Sequence, residues 1–349
     1  MNFSNVLIQW YLQNKRDLPW RNTTNPYLIW LSEIILQQTR VAQGLPYFLA
    51  FAENFPTVFD LASAEEEKVL KLWQGLGYYS RARNLHQAAK FIAQDLNGNF
   101  PTNYKDLLQL KGVGEYTAAA IASFSYNEVV PVVDGNVFRV LARFFDIETD
   151  ISQPKTKKEF TELANLLIPK DNPAIFNQAI MEFGALQCVP KNPDCHNCPL
   201  QSGCLAFAKN KIEQLPVKSK KIKPKSRYFN YLVFEDDLKN TVIQKRTGKG
   251  IWQNLYEFPL LELENLENDL HIVDEIRKRF GSEYEIESVI PLNITPILHK
   301  LTHQSLYIKF FKVEVNGVIS NAINWESIDL YPFPVIIFNF LQKKEQYYF

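Results

Sequence analysis

The chain of 349 residues lacks any apolar run approaching the length of a membrane span, which excludes a transmembrane reading. Its N-terminus, MNFSNVLIQWYLQNK, has no basic leader, no apolar h-region and no small-residue cleavage site, so no secretory signal is read. Cysteine is absent everywhere except between residues 188 and 204. Clustered cysteines without a leader suit a reducing cytoplasm. Net charge is also absent, with 38 basic and 38 acidic residues, although residues 1–227 carry 26 basic against 21 acidic and the remainder 12 against 17. That asymmetry permits a nucleic-acid partner on the first part without requiring one. No internal repeat and no low-complexity tract is found.

What is present fits two domains. The length suits two units of ordinary size, and a 46% apolar content supports real cores. The first two hundred residues show helix-spaced apolar positions, broken at Pro46, Pro56, Gly75–Gly77, Pro101, Gly112–Gly114, Pro131 and Pro173. Residues 209–227, KNKIEQLPVKSKKIKPKSR, read as an exposed basic linker that is also able to lie along a phosphate backbone. From Tyr228 the stretches YFNYLVFED, TVIQK and QSLYIKFFKVEV are rich in aromatic and β-branched residues, as strands are, and NDLHIVDEIRKRFG reads as one amphipathic helix closed by Gly281. The expected organisation is an all-α region over 1–208, the linker 209–227, and an α+β domain over 228–349.

The four cysteines, Cys188, Cys195, Cys198 and Cys204, are spaced C-x6-C-x2-C-x5-C. Four thiolates can enclose one soft metal centre, a [4Fe–4S] cluster or a tetrahedral zinc, and the residues alone leave both open beside free thiols or two disulfides. In LKGVGEYTAAAIASFS, Gly112 and Gly114 form a Gly-x-Gly turn that opens an Ala-rich helix. Such a turn lets backbone N–H groups approach an anion, although a helix corner also uses glycine for packing. Glu33 sits among Trp30, Leu31, Ile34, Ile35 and Leu36. Burial there keeps a carboxylic acid protonated near neutral pH; the alternative is an exposed glutamate on the polar stripe with Ser32 and Gln37. Asp134 ends VVPVVD before the helical GNVFRVLARFF, and is read either as an N-cap or as an ionised carboxylate in a cleft. Arginine interleaves with aromatics at Trp20, Arg21, Tyr78, Tyr79, Arg81 and Arg83, a mixture suited to phosphate contact with base stacking or to ordinary surface packing.

In order, the stretches LPWR, PYLIWLSEIILQQTRV, PYF, FPTVFDLA, LWQGLGYYSRARNL, LKGVGEYTAAAIASF, VVDGNVFRVLAR and FNQAIMEFGALQC, followed by the cysteine loop, resemble the MutY-type adenine DNA glycosylases of the helix-hairpin-helix superfamily. The resemblance implies base excision of adenine mispaired with 8-oxoguanine or guanine in double-stranded DNA, with the adenine turned out of the stack. It implies that Glu33 protonates the departing base and that Asp134 stabilises the oxocarbenium-like sugar. Tyr116 stands where bifunctional relatives carry a Schiff-base lysine, so a monofunctional enzyme is expected, with Tyr116 assisting near the sugar. By the same carry-over, Trp20, Arg21 and Glu182 line the adenine pocket, and Gln38 and Tyr78 wedge the duplex. Gly112, Gly114 and Lys191 contact the DNA backbone, and the four cysteines bind [4Fe–4S]. The C-terminal part resembles a Nudix-like domain that reads 8-oxoguanine. Its helix carries Arg277, Lys278 and Arg279 where a hydrolytic Nudix box has carboxylates, which implies recognition without hydrolysis. The family's Phe-Ser-His reading element appears as Leu301-Thr302-His303, with Thr302 and His303 as the expected lesion contacts. A bacterial, cytoplasmic, nucleoid-associated monomer with no membrane attachment is expected. The competing readings are an endonuclease III-like lyase, against which Tyr116 and the second domain argue, and a non-enzymatic DNA-binding redox protein, which gives Glu33 and Asp134 no role.

Overall fold

The computed structural model describes residues 2–219 and 224–343; residues 220–223 of the expected linker and 344–349 of the expected second domain lie outside the described residues. The chain forms two compact units, Met1–Ser63 with Asn84–Lys220, and Ala64–Arg83 with Lys221–Phe349.

The first unit is helical. The helix Pro26–Leu36 begins where Asn25 accepts from the Tyr27 N–H and Pro26 fills the first turn. Nearly all of its side chains are buried, and it packs against the helix Glu115–Tyr126. The small Ala118, Ala119, Ala120 and Ala122 let those two helices approach closely. The helix Pro173–Leu186 lies against both Phe3–Asn14 and Gly135–Phe145. Leu7, Val137, Leu141, Phe160, Phe176, Ile180 and Phe183 fill the core between them. Gly184 marks the tightest point of that packing, because a Cβ there would stand 2.6 Å from Asn136 Cβ and 3.0 Å from Asn136 O.

The second unit is built on strands β1 (Lys225–Glu235), β2 (Gln244–Lys245), β3 (Tyr256–Glu257), β4 (Leu260–Leu263), β5 (Ile286–Pro291), β6 (Ile297–Lys300) and β7 (Gln304–Val315). The main sheet runs β4-β1-β7-β5, with β6 paired to β7 as well. β1 and β7 are parallel, in register from Lys225↔Gln304 to Glu235↔Glu314, so β1 already begins within the basic stretch 209–227. β6 and β7 form an antiparallel hairpin that closes at Lys300↔Ser305, leaving residues 301–303 at its tip. The helix Asp269–Phe280 buries Ile272 and Ile276 against Leu232, Phe234, Phe311 and Val313.

Three details differ from the sequence reading. Only Gln244–Lys245 of TVIQK joins a ladder, while Thr241 forms an isolated bridge with Ile323. Gly281 is not left-handed; its φ is −67°. Glycine is needed there because a Cβ would lie 2.4 Å from Arg277 O. Lastly, Ala64–Arg83, read within 1–208, packs with the second unit. There Tyr79 Oη donates to Phe333 O at 3.1 Å, Phe333 N donates to Gln74 Oε1 at 2.8 Å, and Arg83 Nη1 donates to Gln253 O at 2.8 Å.

Candidate active site and cysteine cavity

A cleft of about 650 Å3 opens in the first unit, and Glu33, Tyr116, Asp134, Trp20, Arg21 and Glu182 all line it. Gln38, Gly112, Gly114 and Lys191 belong to the same unit but lie outside that lining.

Glu33 projects from the buried helix Pro26–Leu36 and is only 6% exposed, which settles its burial against the exposed alternative. Tyr116, near the start of the helix Glu115–Tyr126, donates its hydroxyl to Glu33 Oε2 at 2.7 Å. Burial pushes the Glu33 carboxyl up to about 7, against the hydrogen bond from Tyr116, and the neighbouring Asp134 charge adds to the rise. The Tyr116 phenol is held well above its usual range by burial and by the Glu33 and Asp134 charges, so it remains a donor.

Asp134 is the N-cap the sequence offered, and its position in the cleft fits the other reading as well. It caps the helix Gly135–Phe145, with Oδ1 accepting from Asn136 N and Val137 N at 2.8 Å each, and it also lines the cleft. Its Oδ2 accepts from Asn136 Nδ2 at 2.8 Å. Burial raises its pKa, and those three hydrogen bonds pull the other way by favouring the ionised form.

Glu182 is buried with both oxygens occupied. Arg16 reaches it through its backbone N, Nε and Nη2 at 3.0, 2.8 and 2.5 Å, and Arg21 through Nη1 and Nη2 at 2.8 and 2.7 Å. Burial raises its pKa, but the bonds from Arg21 and Arg16 outweigh that and bring it to about 2. Trp20 is buried edge-on against Phe48, with ring centroids 5.0 Å apart.

Gly112 has a φ of +77°, and a Cβ there would meet Asn84 Cβ at 2.7 Å, so backbone conformation and space both demand glycine. Gly114 is the N-cap of the following helix and borders open space. Gln38 is exposed at φ 55°, and Lys191 is exposed in the cysteine loop.

All four cysteines are free thiols, which removes the disulfide alternative. They line one cavity together with Val140, Phe144, Phe183, Leu200 and Phe207. Among the described residues no three His, Cys, Asp or Glu side chains close on a point that would hold a single metal ion. Two buried arginines that the sequence reading missed brace this loop. Arg143 donates to Val189 O, Pro190 O and Leu215 O at 2.8, 3.0 and 3.1 Å, and to Cys188 Sγ at 3.4 Å. Arg139 donates to Cys188 O at 2.7 Å, Gly184 O at 2.6 Å and Asn136 Oδ1 at 2.8 Å. Cys188 and Asp134 are therefore joined through Arg139 and Asn136. Gln178, also missed, lines the cleft one turn before Glu182; its i, i+4 spacing from Glu182 was the available signal.

In the second unit, Thr302 and His303 are exposed at the β6–β7 tip. The Tyr78 and Thr302 hydroxyl oxygens are 2.8 Å apart and hydrogen-bonded. Tyr78 adopts a left-handed φ of 48° and is half exposed. On the helix Asp269–Phe280, Arg277 spends its guanidinium on Ile286 O and Glu287 O at 3.0 and 3.2 Å. Among the described residues no helix is long and apolar enough to cross a membrane.

A model of HhH-GPD superfamily base excision DNA repair proteins matches residues 31–166, and a NUDIX domain model matches 230–343. The chain is 36% identical over 341 residues to an adenine DNA glycosylase of Buchnera aphidicola subsp. Schizaphis graminum, covering 95% of this chain and 96% of that one. It is 44% identical over 222 residues to an adenine DNA glycosylase of Homo sapiens, covering 61% of this chain and 41% of that one. A solved thermostable thymine-DNA glycosylase superposes with a TM-score of 0.55 at 29% identity, over 59% of this chain and 95% of that one.

Proposed function

This chain belongs to the MutY-type adenine DNA glycosylases of the helix-hairpin-helix superfamily, and from that premise we propose that it removes adenine opposite 8-oxoguanine or guanine by a monofunctional hydrolytic route. The observation that carries this reading is the pair of carboxyls beside Tyr116 in one cleft. Glu33 is poised as a neutral acid, and Asp134 is held by three hydrogen bonds that favour its anion.

An adenine turned out of the duplex presents unprotonated ring nitrogens to the cleft. Glu33 gives its proton to one of them, and the N-glycosidic bond breaks with its electron pair leaving on the neutral base. The positive charge that develops on the sugar faces the Asp134 carboxylate. Water then adds to the anomeric carbon and yields its proton to the Glu33 carboxylate, which restores the acid. Tyr116 keeps its own proton and orients Glu33. A phenol forms no imine, so no strand-cleaving lyase step follows, and borohydride traps little or no covalent adduct.

The cysteine cavity fits a [4Fe–4S] cluster held by Cys188, Cys195, Cys198 and Cys204. Four free thiols line one apolar space, which is the donor set that such a cluster takes. When bound by these four thiolates, a cluster would tie the loop that carries Lys191. Exposed Gly112, Gly114 and Lys191 are the proposed backbone contacts, and Gln38 is a duplex wedge. In the second unit Tyr78, Thr302 and His303 are the proposed contacts to the lesion pair. The protein acts as a cytoplasmic monomer on the nucleoid.

The decisive test incubates the protein with duplexes carrying A:8-oxoguanine, A:G and A:T, followed by alkali. A strand break at the adenine of the first two, and little at the third, is expected. No break with cluster-loaded protein refutes the proposal. The pH dependence has a defined sign. Glu33 works in its protonated form, so the single-turnover rate falls as pH rises through about 7, approaching tenfold per unit. A rate that keeps rising to pH 9 is incompatible with Glu33 as the acid.

A further inference from the structure

One buried phenol is not used by the chemistry above. Tyr11, on the helix Phe3–Asn14, is 3% exposed and does not line the cleft, yet it supports two parts of the cleft wall. Its hydroxyl donates to Gln178 Oε1. Its ring lies under the Arg21 guanidinium, whose central carbon is 5.8 Å from the ring centroid, and the Lys15 ammonium is 5.7 Å away. Arg21 in turn grips Glu182, one helical turn from Gln178.

A glutamine amide carries an acceptor on one arm and two donors on the other. With Oε1 engaged by the phenol, the Nε2 hydrogens are left for the cleft, and among the described residues they have no acceptor. Burial raises the Tyr11 pKa, which keeps the hydroxyl a donor and the amide in that orientation. The oxygens of Glu182 are already taken by Arg16 and Arg21, so this part of the wall offers hydrogens rather than lone pairs. Adenine has a bare acceptor at N1, where guanine carries N–H, so an amide donor aimed at N1 favours adenine; N3 is bare in both bases, and a donor there orients a purine without choosing between them.

We propose that Tyr11 is a positioning residue for the extruded base: its hydroxyl fixes the Gln178 amide with N–H toward an unprotonated ring nitrogen of the purine, and its ring holds Arg21 against Glu182. The inference rests on the cleft being a purine pocket, as proposed above.

The test uses the full-length, cluster-loaded protein and its variants Tyr11→Phe, Gln178→Leu and the double variant. Single-turnover excision is measured opposite 8-oxoguanine for adenine, 1-deazaadenine and 3-deazaadenine. Tyr11→Phe, which removes only the hydroxyl, is expected to slow adenine excision about 5- to 10-fold, the worth of one oriented hydrogen bond. In the Gln178→Leu background the same change is expected to cost nothing further. The penalty for replacing the contacted ring nitrogen by CH is expected to shrink in Tyr11→Phe relative to the wild type. Equal losses in both backgrounds, or deaza penalties that do not change, overturn the role of Tyr11. If Gln178→Leu is too slow to measure, the deaza comparison between the wild type and Tyr11→Phe decides alone. A wild type that excises no adenine fails the pocket reading itself, whereas an active wild type with additive variants fails only this inference.

Discussion

Glu33→Gln is expected to lower the single-turnover rate of adenine excision by about 1,000-fold, within the range for loss of a positioned proton donor, while binding to an A:8-oxoguanine duplex changes little. Glutamine keeps the shape of the acid, and its Oε1 still accepts the Tyr116 hydroxyl, so the cleft is left in place. What disappears is a proton available near neutral pH. The stability of the wild type also falls as pH rises. The folded pKa of Glu33 lies above its unfolded value, so this residue's contribution is full below about 4.5 and is lost as pH rises through about 7. The amide has nothing to ionise, so relative to the wild type the variant gains between about pH 4.5 and 7 and keeps that gain above. Rapid-quench kinetics, duplex binding and melting at two pH values check the three parts. A variant that still excises at the wild-type rate would sink the acid assignment.

Arg139→Leu is the other large effect. The side chain is 9% exposed and is the joint between Cys188 O, Gly184 O and Asn136 Oδ1, with Asn136 in turn holding both Asp134 oxygens. Removing the guanidinium strands two backbone carbonyls and one amide oxygen in a tight crossing, at a cost of about 3 kcal/mol or more. The expected results are a lowered melting temperature, less iron retained per chain, and slower excision in the fraction that keeps its iron. Arg139→Lys recovers only part of this, because an ammonium cannot reproduce the planar fork. Wild-type iron content and wild-type rate in Arg139→Leu would mean that the chain of hydrogen bonds from Cys188 to Asp134 holds neither end.

Most of the first unit was legible because its signals are local. Gly112 and Gly114 open an Ala-rich helix in plain view, and the cysteines sit within seventeen residues of one another. Glu33 was visible as an acid among apolar neighbours, but only the packing around it decided its burial. Arg139 and Arg143 escaped because arginines are usually solvent-exposed, and nothing in RVLAR reveals the carbonyls they meet in a distant loop. For Asp134 both positions were readable as alternatives, but that it takes them together was not: a cap follows from spacing, whereas the cleft in front of it is made by helices far away in the chain. In the second unit the strong strands β1 and β7 were evident from their β-branched and aromatic residues. The two-residue strands β2 and β3 were not, since neither is long enough to show alternation.

The membership of Ala64–Arg83 in the second unit has a bearing on how the protein can be taken apart. A cut in the basic stretch after residue 208 would look natural on the page, yet it would leave Gln74 and Tyr79 without Phe333, Glu67 without Tyr256, and Arg83 without Gln253. A truncated 1–227 chain thus carries a twenty-residue piece stripped of these partners, and an isolated 228–349 chain lacks the other half of each pair. Anyone transplanting the second unit between relatives has two stretches of coding sequence to move, not one.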